Sequence, residues 1–225
     1  TNVTGPASPI LVGENVTITG NYKTQYYLTV ISSYGITGGE GWYDSGTIAY
    51  ATLNIDIVDH GNRTRRVFTS WENDASGTNY TRSSPILMNG PKTAVANWKT
   101  QYYLFVRTDP SGIIAISGEG WYDKFANVTL NAPAVSGYDF GYWDVNGVSR
   151  GSGVDAITVY MNASQTATAF YTRIMIYTLT IITTAGGTTD PEPGTYNYTA
   201  DSTVQVTAVS KVNYVFDHWE LDNVN

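Results

Sequence analysis

The chain has no cysteine among its 225 residues, which removes disulfides and thiolate metal sites from consideration. Charge is scarce as well: Asp, Glu, Lys and Arg together make up 14% of the residues, against about 25% in an average soluble protein. The 12 basic residues are scattered and the formal net charge is -7. Phosphate backbones and anionic lipid surfaces both need clustered Lys and Arg, so a nucleic-acid partner is not expected and membrane-surface binding is disfavoured. No long apolar run exists either. The longest, Ile174 to Ile182, falls far short of the roughly 20 residues that span a bilayer, so direct membrane insertion by a helix is not expected. No stretch sustains the 3.6-residue periodicity of an amphipathic helix.

Present in abundance are Thr, Tyr, Gly and Asn, within a chain that is 42% hydrophobic. β-Branched and aromatic side chains fit a pleated, half-buried surface, and Gly, Asn and Asp supply the turns between strands. An all-β fold follows. Seven Asn-X-Ser/Thr sequons begin at Asn2, Asn15, Asn62, Asn79, Asn127, Asn162 and Asn197. That is about twice what chance gives for this composition, and the pattern points to N-linked glycans on the outside of a cell.

The chain repeats itself. The stretch "KTQYYLTV" at Lys23 to Val30 returns as "KTQYYLFV" at Lys99 to Val106, 76 residues later, and loosely as "IYTLTI" at Ile176 to Ile181. "GEGWYD" at Gly39 to Asp44 returns at Gly118 to Asp123, with "EPGTYN" in the corresponding third place. An F-x-x-W pair then follows in all three copies: Phe68 and Trp71, Phe140 and Trp143, Phe216 and Trp219. An acidic, Gly/Asn-rich turn, an apolar strand and a closing alternating strand ("KTAVANW", "QTATAFY") complete the first two copies.

Residues 8–25 match residues 84–101 at a shift of 76, so the amino-terminal segment corresponds to the tail of a repeat. The expected organisation is therefore 1–22 as the last strands of a split repeat, 23–98 as repeat 1, 99–172 as repeat 2, and 173–225 as the front of a repeat completed by residues 1–22 of the next unit. Each half, alone, would expose apolar side chains and unpaired strand edges. Identical subunits joined head to tail, by strand addition or by chain continuity, would cure both defects. Such a contact propagates without closing.

The stretch "FGYWDVNG…ITVYMNASQTATAFY" from Phe140 to Tyr171 resembles the divergent internalin-B-type repeats of bacterial and archaeal surface proteins. "YKTQYYLTV" and "GEGWYDSGT" are similar to repeat regions of archaeal cell-surface proteins. The resemblance implies a tandem array of small β-sandwich or β-grasp-like repeats of about 76 residues. It assigns Phe68, Trp71, Phe140, Trp143, Phe216 and Trp219 to the core. It also implies roles in stalks, adhesive arrays and surface layers without catalysis.

Candidates for chemistry are few. Glu40 with Asp44, and Glu119 with Asp123, flank Trp42 and Trp121 in the manner of a glycosidase acid pair, but that chemistry needs two carboxylates facing each other across a cleft. A motif copied at a fixed period, whose third copy has Thr195 in place of the Trp, reads as a folding element. Glu72, Asp74, Asp144, Glu220 and Asp222 follow the core Trp residues and either cap turns or hold calcium. No twelve-residue calcium loop is present, so capping is favoured and no cofactor is expected. His60 and His218 occupy different phases of the repeat, which argues against a shared metal site. The expectation is a non-enzymatic, glycosylated building block of an extracellular archaeal filament or surface layer. The alternative is an adhesion or carbohydrate-binding region of a large secreted protein or enzyme.

Overall fold

The computed structural model describes residues 12–221. Its described residues form 19 strands and no helix. A β-grasp needs a helix packed across its sheet, so the described units are layered β-structures. None of the described segments is a helix long and apolar enough to cross a membrane.

Unit 1 comprises residues 1–61 and 65–100. Its entry strand, Gln25–Ser32, alternates Tyr26, Leu28 and Val30 toward the core with Gln25, Tyr27 and Thr29 on the other face. Gly41–Asp44 pairs with it antiparallel, Tyr27 opposite Trp42. Its other edge pairs parallel with the first half of the long strand Lys92–Asp109, Leu28 opposite Lys92 and Ser32 opposite Ala96. Thr64–Asn73, which carries Phe68 and Trp71, lies on the far side of that strand. A second layer, Ile48–Ala49 with Ile86–Leu87 and Thr37–Gly38 with Thr52–Leu53, closes the core over Leu28, Val30, Phe68, Trp71, Met88 and Ala94.

Unit 2 comprises residues 62–64 and 101–225 and repeats this plan. Here the entry strand is the second half of Lys92–Asp109, paired antiparallel with Gly120–Asp123 and parallel with the closing strand Gln165–Arg173. Tyr138–Val145 pairs antiparallel with the other edge of the closing strand, so that strand is central. The second layer is Asn127–Asn131 with Ala156–Tyr160. Between them lie Leu104, Leu130, Trp143, Val159, Met161, Ala167 and Ala169, all fully or nearly fully buried.

The F-x-x-W spacing has a geometric cause. Residues three apart on a strand face opposite sides, yet Phe140 and Trp143 both pack toward the unit 2 core. The pairing slips between Phe140 and Tyr142, a bulge that inserts one unpaired residue at Gly141 and restores the alternation in time for Trp143. The indole then lies opposite Ala169, whose methyl group leaves room for it. Each indole also finds an acceptor: Trp143 Nε1 donates to the Asp155 carbonyl at 2.9 Å, and Trp71 Nε1 to that of Asn79 at 3.0 Å.

Candidate interaction surface in the third repeat

Residues 173–221 begin a third copy. Ile176–Ile181 pairs with Gly194–Thr199, Ile181 opposite Gly194, and Gly187–Asp190 pairs with Thr207–Ser210. The same steps open the other two copies, where Leu28 lies opposite Gly41 and Leu104 opposite Gly120. Beyond this point the third copy departs from them. Its entry strand ends at Ile181, the position of Leu28 and Leu104, where the parallel partner begins in the closed copies. Residues 211–221 form no strand, although Thr64–Asn73 and Tyr138–Val145 do.

Burial follows the same line. Ala49, Ala51 and Leu53 in the first copy and Val128, Leu130 and Ala132 in the second are all buried. Their counterparts Val204, Val206 and Ala208 are only half-buried. Phe68, Trp71 and Trp143 are 8%, 2% and 0% exposed, and Phe140 is half-buried, whereas Phe216 and Trp219 are each 44% exposed. The last two keep the pair geometry, with ring centroids 5.0 Å apart, but no strand layer among the described residues covers them. Of the six aromatic residues assigned to the core, these two are thus not buried within the described chain. The cause is local: the central strand that packs against Phe68 with Trp71, and against Phe140 with Trp143, has no counterpart in the third copy among the described residues.

The segment that matches a closing strand in sequence is residues 12–22, and it is exposed and forms no strand. Val12, Val16, Ile18 and Tyr22 are 71%, 48%, 66% and 98% exposed, and the segment makes no strand pairing among the described residues. Exposed apolar side chains therefore occur both in residues 12–22 and at Phe216 and Trp219.

The other candidates resolve into structural roles. Glu40 accepts a hydrogen bond from Tyr27 Oη at 3.0 Å and one from the Val30 amide at 3.3 Å. Glu119 does the same with Tyr103 Oη at 2.8 Å and the Val106 amide at 3.1 Å. These carboxylates hold the motif against its neighbouring strand, and their hydrogen bonds raise the Tyr27 and Tyr103 phenols above their ordinary value. Hydrogen bonds from Lys23 Nζ at 2.6 Å and Gln25 at 2.7 Å lower the Asp44 carboxyl. Trp42 and Trp121 stack edge-on to Tyr27 and Tyr103, each at 5.3 Å, and Trp42 is 66% exposed.

Asp74 receives the Thr93 amide at 2.9 Å and Lys92 Nζ at 3.2 Å, and these lower its carboxyl, the amide most. Asn146 receives the Thr166 amide at the same place in unit 2, at 2.8 Å. Asp144 caps its own turn through the Gly147 amide at 2.8 Å. Glu72 and Glu220 are exposed. Among the described residues no three potential metal ligands cluster. The sequon residues Asn15, Asn62, Asn79, Asn127, Asn162 and Asn197 are all exposed, as glycan transfer requires. Asn2 and Asp222 lie outside the described residues.

The central placement of the closing strand escapes sequence reasoning. Its signal is the row of small inward residues, Ala94 and Ala96 or Ala167 and Ala169, which a central strand needs beneath a Trp. Comparison with known proteins bears on the same architecture. No characterised protein and no solved structure matches the chain. A family model described as the divergent InlB B-repeat domain matches residues 65–101, 105–175 and 177–225, and therefore most of the chain. On that match the chain belongs to the divergent InlB B-repeat family, whose members are typical of surface-associated proteins.

Proposed function

We propose that this chain is a structural, non-catalytic building block of an archaeal cell exterior, in a filament or a surface layer. Copies join head to tail, through strand complementation or chain continuity, each completing the split repeat of another. The observation that carries this reading is the 44% exposure of Phe216 and of Trp219, whose counterparts Phe68, Trp71 and Trp143 are buried in the other two copies. Burying about 100 Å² of apolar surface is worth about 2.5 kcal/mol, so the exposed aromatics and Val12, Val16 and Ile18 together favour association strongly. Glycans on the exposed sequons would shield the backbone, and the only partner the reading requires is the same chain. No cofactor takes part.

Electron microscopy of the purified chain, with light scattering across a concentration series, tests the reading. Helical or lattice order and a mass that grows with concentration are expected. A compact monomer at every concentration refutes it. The exposed Trp42 beside Tyr27 favours a second reading, a carbohydrate-binding module, which predicts sugar affinity that Trp42→Ala and Trp121→Ala abolish.

A further inference from the structure

One tight turn recurs in all three copies of the repeat. It closes when the Thr47 amide donates to the Asp44 carbonyl at 3.1 Å, the Ala126 amide to that of Asp123 at 3.0 Å, and the Ser202 amide to that of Thr199 at 3.2 Å. The residue before each donor is left-handed, with φ of +83° at Gly46, +74° at Phe125 and +60° at Asp201. Glycine takes that conformation freely and aspartate tolerates it, whereas a bulky aromatic residue is strained in it. Burial does not offset the strain at Phe125, which is 57% exposed.

Phe125 stands two residues before a sequon asparagine, in the order Phe-Ala-Asn-Val-Thr. The strand Asn127–Asn131 turns Asn127 and Thr129 outward and buries Val128 and Leu130. Directly across the ladder from Asn127 is Tyr160, 47% exposed, at a Cβ separation of roughly 5 Å. The Tyr160 and Phe125 rings lie side by side, their centroids 6.0 Å apart and their planes 17° from parallel. We infer that a glycan on Asn127 lays its first sugar ring on Phe125 and Tyr160, which together form its docking platform. This rests on the glycosylated-exterior reading above and adds the site and the contact.

The chemistry suits this occupant. Attachment joins the Asn127 amide nitrogen to the anomeric carbon of a lipid-phosphate-linked sugar. The carbon–oxygen bond to phosphate breaks, the phosphate leaves with the electron pair, and the nitrogen gives up one proton. A pyranose carries slightly positive C–H groups on one face, and these meet the negative face of an aromatic ring while the hydroxyls stay in water. Covering the two rings also removes apolar area from solvent, which opposes the strain at Phe125. Lys124 Nζ lies 4.7 Å from the Phe125 centroid, and most of that residue is still open.

Rings and attachment point occur together. In unit 1 Ile48 holds the place of Asn127, and there Gly46 replaces Phe125 and Leu87 replaces Tyr160. In the third copy Thr203 stands for Asn127 and Asp201 for Phe125. The other described sequons lack the setting. Glycine stands two residues before Asn15 and Asn79, and Thr195 before Asn197, whose cross-strand partner is Thr178. His60 holds that position before Asn62 but meets the Tyr34 ring edge-on. Asn162 follows Tyr160 by two, yet its Oδ1 accepts a hydrogen bond from Gln165 Nε2 at 3.0 Å, which ties the amide to Gln165.

The full-length chain from an N-glycosylating archaeal host is compared with Asn127→Gln, with Phe125→Gly and with the double variant, and the same four chains made without the transferase report the substitutions alone. Glycopeptide mass reads occupancy, and hydrogen exchange reads opening of the Asn127–Asn131 and Ala156–Tyr160 strands. An occupied Asn127 is expected, whose sugar raises protection of both strands several-fold with Phe125 in place and little in Phe125→Gly. In nuclear magnetic resonance spectra of the unsubstituted chain, ring currents are expected to move protons of the first sugar upfield. Equal protection in both backgrounds, or sugar protons at their free positions, overturns the docking and leaves a glycosylated exterior standing. A bare Asn127 beside occupied sequons does the same, whereas a chain with no sugar anywhere overturns both.

Discussion

Trp143 and Trp219 hold the same place in successive repeats, and the structure predicts opposite outcomes when each is replaced by Phe. Trp143 is completely buried and its indole N–H donates to the Asp155 carbonyl at 2.9 Å. Trp143→Phe removes that donor and leaves the carbonyl without it, at about 1–3 kcal/mol. Loss of the larger ring adds roughly 1 kcal/mol of apolar transfer together with a small cavity. The total is about 2–4 kcal/mol, a large part of the 5–15 kcal/mol that typically stabilises a domain. Trp219 is 44% exposed in the chain by itself, so Trp219→Phe costs under about 1 kcal/mol there.

Hydrogen exchange read by mass spectrometry suits this comparison, because it reports each unit separately where a single melting curve would blend them. Peptides covering the Gln165–Arg173 strand are expected to lose protection by the predicted amount in Trp143→Phe and to be unchanged in Trp219→Phe. Light scattering is expected to show the reverse preference: Trp219→Phe weakens assembly while Trp143→Phe in the closed repeat affects it less. A Trp143→Phe loss below about 1 kcal/mol would refute the packing argument. Equal losses at the two sites in dilute chain would refute the claim that the third repeat is open.

Backbone conformation supplies a further prediction. Gly39 has φ of +87° and an added methyl group would overlap the Tyr50 carbonyl oxygen, whereas Gly41 at +151° has open space where a methyl would go. Gly39→Ala is expected to destabilise unit 1 by more than the roughly 1–2 kcal/mol of the left-handed conformation alone, and by more than Gly41→Ala, in denaturant unfolding. Titration separates the two closing-strand locks. Asp74 is held below its ordinary value in the folded state, so its contribution is present above about pH 4 and fades as pH falls through the folded value. Asn146 does not titrate, and amide exchange at Thr93 is therefore expected to rise in acid more than at Thr166, with Asp74→Asn removing that part of the difference.

Much of this molecule is legible from residue order, and the limits have physical causes. Alternation and turn residues reveal strands, and verbatim copies such as "KTQYY" and "GEGWYD" reveal the repeat. Nothing local says how strands pair. The parallel alignment of Gln25–Ser32 with Lys92–Asp109 joins segments more than 60 residues apart, and parallel neighbours need no turn between them to announce the contact. The F-x-x-W spacing looks wrong for a strand until a bulge is known. Likewise Glu40 and Glu119 read as parts of a folding element because they recur with the repeat, but their partners, Tyr27 and Tyr103, are named only by the hydrogen bonds. Phe216 and Trp219 carry the core motif intact, but burial depends on a strand the motif does not contain.

The central position of Gln165–Arg173 has a mechanical corollary. A strip at a sheet's margin can be unzipped one rung at a time, whereas one sandwiched by two neighbours must shear along both flanks at once. A joint made by inserting such a strip yields late and abruptly under pull, and a severed end does not readily fray.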